Sequence, residues 1–196
     1  MLTMPNNKRP NRGEEVFNTI SHLFNEKGYM ETTMRGIAKS LNIKAPSLYN
    51  YVNSKEEALF KVLNDSMDLG LKKMQDVCEM RISPKEKLYK LIDIHIQPYS
   101  VKREGPVLLM KYIDKLTKEH QKILITKQRH FADLGATILQ ELQEKGRAKK
   151  IPAKIALFIL LGMVTYTVKW YDKNGPVTPY ELNKYIADVF TKGILK

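Results

Sequence analysis

Lys44, Ala45, Pro46, Ser47, Tyr49, Asn50, Tyr51 and Lys55 crowd into one short stretch side chains suited to gripping a polyanion and reading its surface, not to breaking bonds. A carboxamide such as that of Asn50 can pair with a base edge, and the Ala45 methyl and Pro46 ring can pack on a thymine methyl. The hydroxyls of Tyr49 and Tyr51 suit phosphate oxygens, as do Thr33, Lys44 and Lys55, and such contacts fix register without specifying sequence. Plainer uses stay open for the same residues: the tyrosines also suit half-buried packing, and Lys55 a solvated surface charge. Bond-breaking chemistry finds no comparable cluster. One cysteine, Cys78, and four histidines, His22, His95, His120 and His130, stand at no metal-ligand spacing, and no nucleophile elbow or phosphate loop occurs. An enzyme is therefore not expected, nor a metal or cofactor, and Cys78 fits a buried thiol in a reducing cytoplasm.

Two short helices must position these side chains. Ile37, Ala38 and Leu41 share one helical face, Asn42 interrupts, and Ile43 and Leu48 resume the apolar side, the pattern of a helix-turn-helix over residues 32–55. Thr32 and Thr33 are good N-caps for the first helix, and Asn42 tolerates the left-handed conformation that ends it. Pro46 stands where a first-turn proline costs nothing. Ser54 with Glu57 reads as a capping box opening a long helix through Ala58, Leu59, Val62, Leu63 and Met67 to about Met80.

The segment TTMRGIAKSLNIKAPSLYNYVNSKEEAL resembles the DNA-binding motif of the TetR family of bacterial transcriptional regulators, and Val16, Phe17, Ile20, Leu23, Phe24 and Gly28-Tyr29 resemble its first helix and stop. Asn42, Gly36 and Val52 stand where that family usually carries glycine, an acidic residue and phenylalanine. The resemblance implies that Lys44 to Tyr51 is the recognition helix, with Ala45, Pro46, Ser47, Tyr49 and Asn50 toward the major groove. It also places Arg35 where a guanine is reached, a contact contributing about 1–3 kcal/mol of discrimination. The implied partner is double-stranded DNA carrying an inverted repeat, met by a homodimer.

A formal net charge of +12 on 196 residues agrees with a polyanionic partner, although residues 56–196 carry +8 of it. A solvated lysine-rich surface explains that excess most simply, and an anionic ligand is the alternative. The polar start, residues 1–13, is expected to be a disordered arm whose Lys8, Arg9 and Arg12 lie along phosphates or serve solubility. The apolar run from Ile155 to Val168 falls short of the roughly 20 residues that cross a bilayer. No membrane association is expected, and a cytoplasmic location is.

Helix signals continue to the end without strand-like alternation. The reading is an all-α protein of about nine helices: an arm (1–13), a three-helix DNA-binding domain (14–55), and a larger ligand-binding and dimerisation domain (56–196). The helix after Pro152 is apolar nearly all round and needs burial on two sides, and the last helix carries one clean stripe. Phe158, Leu161, Val164, Val189 and Phe190 are the expected dimer contacts, in a four-helix arrangement across a two-fold axis.

The stretch LLGMVTYTVKWYDKNGPVTPYELNKYIADVFTKGIL resembles the ligand domain of TetR members that respond to fatty acids or acyl-CoA esters. A small apolar effector of that kind is the expectation, lined by candidates Leu91, His95, Tyr99, Leu109, Met110, Ile113, Phe131, Met163 and Tyr166. Each of these also suits ordinary core. A regulator of drug efflux answering to a hydrophobic drug, or a DNA-organising protein binding many dispersed sites, remains the alternative.

Overall fold

The computed structural model describes residues 12–100, 105–172 and 174–196, with the side chains of 95–100 and 168 apart. The arm residues Lys8 and Arg9, and the side chains of His95, Tyr99 and Val168, lie outside the described residues. The chain is all-α, without a strand among the described residues apart from one isolated antiparallel bridge, Ala148 with Leu195. No described helix is long and apolar enough to cross a membrane. Two compact units, Met1–Val62 and Leu63–Lys196, part inside one helix.

The first unit holds α1 (Arg12–Glu26), α2 (Met34–Ser40), α3 (Ala45–Leu48) and the start of α4 (Lys55–Glu79). Val16, Ile20 and Phe24 of α1 are buried, as are Ile37, Ala38, Leu41, Leu48, Leu59 and Val62, so each short helix is held by its apolar face. Propensity alone could not sustain helices this short. Phe24 meets Tyr29 edge to face at 5.2 Å, and the buried Thr32 hydroxyl donates to the Gly28 carbonyl at 2.8 Å.

The second unit contains the rest of α4, then α5 (Pro84–Ser100), α6 (Gly105–Tyr112), a 3-10 turn (Ile113–Lys115), α7 (Lys118–Glu144), α8 (Ala153–Thr165), α9 (Thr167–Trp170) and α10 (Pro179–Ile194). Tyr166 caps both α8 and α9, so the two amount to one interrupted helix. The core joins Met74 and Val77 of α4, Leu88, Leu91 and Ile92 of α5, Ile138, Leu139 and Leu142 of α7, Leu157 and Leu160 of α8, and Ile186 and Phe190 of α10. At Gly135 a Cβ would come within 3.1 Å of Leu157, which is what lets α7 approach α8 so closely.

Helix ends follow the residues that cap them. Thr178 Oγ1 accepts from Glu181 N–H at 3.2 Å while the Glu181 carboxylate accepts from Thr178 N–H at 2.8 Å, and Ser83 with Glu86 repeats the arrangement. Ser54 departs from its expected box. Its hydroxyl accepts from Glu57 N–H at 3.0 Å, but the Glu57 carboxylate reaches one residue further back, to Asn53 N–H at 2.8 Å.

Candidate nucleic-acid interface and ligand cavity

The turn that joins α2 to α3 is built by backbone chemistry. Thr33 caps α2, its hydroxyl accepting from Gly36 N–H at 3.0 Å, and a Cβ on residue 36 would meet that hydroxyl at 3.2 Å. At the other end Asn42 takes φ +53°, Asn42 N–H donates to Lys39 O at 3.1 Å and Ile43 N–H to Ala38 O at 3.0 Å. This is a Schellman closure with asparagine in the place glycine usually takes, and a short amide side chain tolerates it.

The helix that follows is shorter than Lys44 to Tyr51. α3 ends at Leu48, and residues 49–51 continue as a turn held by Tyr49 N–H to Pro46 O at 3.2 Å and Tyr51 N–H to Leu48 O at 2.9 Å. Leu48 is fully buried and anchors this element, which leaves Lys44, Pro46, Tyr49 and Asn50 exposed, with Ala45, Ser47 and Tyr51 half-buried. Thr33 and Arg35 are also exposed. Arg35, Ala38, Lys39, Asn42, Ile43, Lys44 and Ala45 line one shallow concavity beside the turn. Lys39 had not been singled out from sequence, although its i+4 spacing from Arg35 signals a shared helical face.

Lys55 is engaged differently. Its ammonium donates to the carbonyls of Tyr29 at 3.0 Å and Met30 at 3.2 Å and lies 4.5 Å from the centre of the Tyr29 ring. It therefore ties the start of α4 to the segment after α1, and any phosphate contact competes with that tie. Burial, with Glu56 near, pushes the Tyr29 phenol pKa up. Arg12, pairing with Glu15 at 2.7 Å, also donates to Leu41 O at 3.4 Å, beside the same turn.

Within the second unit a cavity of about 430 Å³ is lined from α4, α5, α6, α7 and α8. Leu109, Met110 and Phe131, singled out from sequence, face it. Leu91, Ile113, Met163 and Tyr166 do not line it: Leu91 is fully buried in the core, Met163 packs against that core, and Tyr166 is 66% exposed. The sequence reading missed Ser66, Gly70, Lys73, Gln128, Arg129 and Thr165 on its walls. Their signal was the helical spacing 66, 70, 73 on α4, a stripe beside the apolar core stripe.

The helix α8 carries three faces. Ala156, Leu157, Leu160 and Val164 enter the core, Phe158, Leu161 and Thr165 line the cavity with Phe158 still 53% exposed, and Ile155, Ile159 and Tyr166 are exposed at 52%, 52% and 66%. This redistributes the expected dimer contacts. Val164 and Phe190, at 1% and 5% exposed, are already enclosed by their own chain and are not available to a second copy. Val189 is exposed at 63%, and Tyr185, one turn earlier on α10, at 55%.

No group of His, Cys, Asp and Glu able to hold a metal occurs among the described residues. Cys78 donates through its thiol to Leu134 O at 3.7 Å, and burial pushes its pKa up, the condition of an inert thiol.

Residues 18–62 match the family described as bacterial regulatory proteins, tetR family, and residues 81–194 match the tetracyclin repressor-like C-terminal domain. The HTH-type transcriptional repressor KstR2 of Mycolicibacterium smegmatis (strain ATCC 700084 / mc(2)155) is 24% identical over 185 residues, 93% of this chain and 90% of that protein. The fatty acid metabolism regulator protein of Bacillus subtilis (strain 168) is 19% identical over 189 residues, 95% of this chain and 97% of that one. Among solved structures, AibR in complex with isovaleryl coenzyme A and operator DNA superposes with a TM-score of 0.82 at 20% identity, over 91% of this chain and 97% of that one.

Proposed function

The chain belongs to the TetR family of bacterial regulatory proteins, and from that premise we propose that it is a cytoplasmic, homodimeric repressor that releases an inverted-repeat operator when an acyl compound fills its cavity. The observation that carries the reading is the exposed array Arg35, Lys39, Lys44, Pro46, Tyr49 and Asn50, set about a turn closed by the Asn42 and Ile43 backbone bonds. Such an array offers base-edge and phosphate contacts together. Two copies are needed to meet two major-groove faces about 34–36 Å apart. The family is one of regulators, so the chain's output is occupancy of DNA and not a reaction.

Cavity and relatives support the effector. A largely apolar space of about 430 Å³ falls inside the range of about 300–1,000 Å³ for small-molecule sites. The names of the Bacillus subtilis relative and of AibR's ligand both point to acyl chemistry. α4 belongs in part to each unit and carries cavity residues Ser66, Met67, Gly70 and Lys73, so a ligand that shifts α4 changes the DNA-competent population. By linkage, operator DNA weakens the acyl compound's binding by the same factor.

The test is a footprint of the chain's own upstream DNA across a salt titration, with and without decanoyl-CoA. A protected palindrome is expected, with Asn50→Ala relaxing base preference by about 1–3 kcal/mol and Lys44→Ala reducing the salt slope by about one. Equal binding to random and upstream DNA would overturn the reading in favour of a DNA-organising protein. Release by hydrophobic drugs but not by acyl compounds would favour an efflux regulator.

A further inference from the structure

The cavity has an electrostatic asymmetry that its apolar walls do not require. Among its described lining residues are two cations, Lys73 on α4 and Arg129 on α7, with the neutral amide of Gln128 beside Arg129 in sequence, and no aspartate or glutamate. Two cations nearby are paired: Lys127 on α7 bonds both Asp68 and Asn64, and Lys154 on α8 meets Asp133 at 2.6 Å. Lys73 and Arg129 have no ion pair or hydrogen bond among the described residues. Two cations facing one apolar space, with no acid among the described lining residues to offset them, favour an anionic guest over a neutral one.

We infer that Lys73 and Arg129 form the head-group subsite of the effector, so that the cavity selects an amphiphile with an apolar body and an anionic head. This rests on the acyl reading above and deepens it. The apolar body lies against Met67, Leu109, Met110, Phe131, Phe158 and Leu161. Two sources supply such a head: the carboxylate of a free fatty acid, or the phosphates of a CoA thioester. The guanidinium of Arg129 can grip either in two parallel bonds, whereas Lys73 acts as a point charge on a flexible stem. Because the two cations stand on different helices, an anion bridging them couples α4 to α7 along a second line beside the Lys127 clasp to Asp68.

Calorimetry on the full chain with decanoate, decanol and decanoyl-CoA tests this, using wild type, Lys73→Met, Arg129→Met and the double variant, each checked for helicity by circular dichroism. The readout is the preference for anionic over neutral ligand, which a general loss of stability does not move in one direction. Wild type is expected to bind decanoate or decanoyl-CoA about ten-fold or more tightly than decanol. Each single variant should narrow that ratio and the double variant bring it close to one. Preference for decanoate over decanoyl-CoA identifies a free acid as the source, and the reverse identifies the thioester. Equal affinity of wild type for decanol and both anions, or an undiminished ratio in the double variant, would overturn the subsite while leaving the acyl reading standing. No uptake of any of the three compounds would overturn the acyl reading itself.

Discussion

At the scale of single residues, the side chains proposed to meet DNA are carried on a turn held by a few backbone bonds, and Asn42 shows how narrow the tolerance is. Its φ of +53° costs about 1–2 kcal/mol for a residue with an ordinary Cβ. Asn42→Gly should therefore keep or raise the denaturant midpoint, and Asn42→Ala should lower stability by about 1 kcal/mol, measured by urea unfolding at constant m. If alanine and glycine behaved alike, the turn would not be under the constraint its geometry indicates. Lys55 teaches a related lesson. Its type suits phosphate, but two carbonyls and an aromatic ring already engage it.

At the scale of elements, three helices begin with a glutamate that accepts hydrogen bonds from the chain just before it. The Glu57 carboxyl is held below its ordinary range by the Asn53 backbone bond and then by Lys61. Glu86 is held down by the Ser83 hydroxyl and then the Ser83 backbone, and Glu181 by the Thr178 backbone and then its hydroxyl. A carboxylate whose folded pKa is lowered stabilises the fold at any pH above its unfolded value and loses that contribution as pH falls through the folded one. Stability should thus decline below the ordinary carboxylate value of 4.5 as the starts of α4, α5 and α10 lose their caps. Glu86→Gln with Glu181→Gln should flatten the fall in urea midpoint between about pH 5 and pH 3, since glutamine does not titrate. An unchanged slope would mean that other groups dominate acid unfolding.

At the scale of the whole molecule, the exposed apolar residues are where a second copy can gain most. Ile155, Ile159 and Tyr166 on and after α8, Trp170 on α9, and Tyr185 and Val189 on α10 are each more than half exposed. Gly162 lies on the same α8 stripe as Ile155, Ile159 and Tyr166, and a Cβ there would meet nothing in its own chain. Burying an Ile or Val side chain is worth about 1.5–3 kcal/mol. Ile159→Glu with Val189→Glu should give a folded monomer by analytical ultracentrifugation and circular dichroism. Phe190→Glu, by contrast, places a charge in the protomer core and should cost helical signal. A stable dimer of the first variant would move the interface elsewhere.

Much of this was legible without coordinates, because caps, turns and helical stripes are local. Thr33, Asn42, Pro46, Ser83 with Glu86 and Thr178 with Glu181 act within a few residues of themselves, so their identity and spacing specify the helix ends. The exposure of the residues proposed to meet DNA was legible for the same reason: once Leu48 must be buried, Tyr49 and Asn50, next to it on the chain, point outward. The ligand and dimer faces were not. α8 is apolar on every side, and periodicity cannot tell which apolar stripe meets the core, which a cavity and which another copy. That choice depends on how α4, α6 and α7 pack around it, and so on contacts distant in sequence: Gly135 admitting Leu157, or Lys127 clasping Asp68. Tertiary packing alone decided that Val164 and Phe190 are core, that Leu161 lines a cavity while Phe158 lines it and stays half exposed, and that Lys73 and Arg129 line the same largely apolar space.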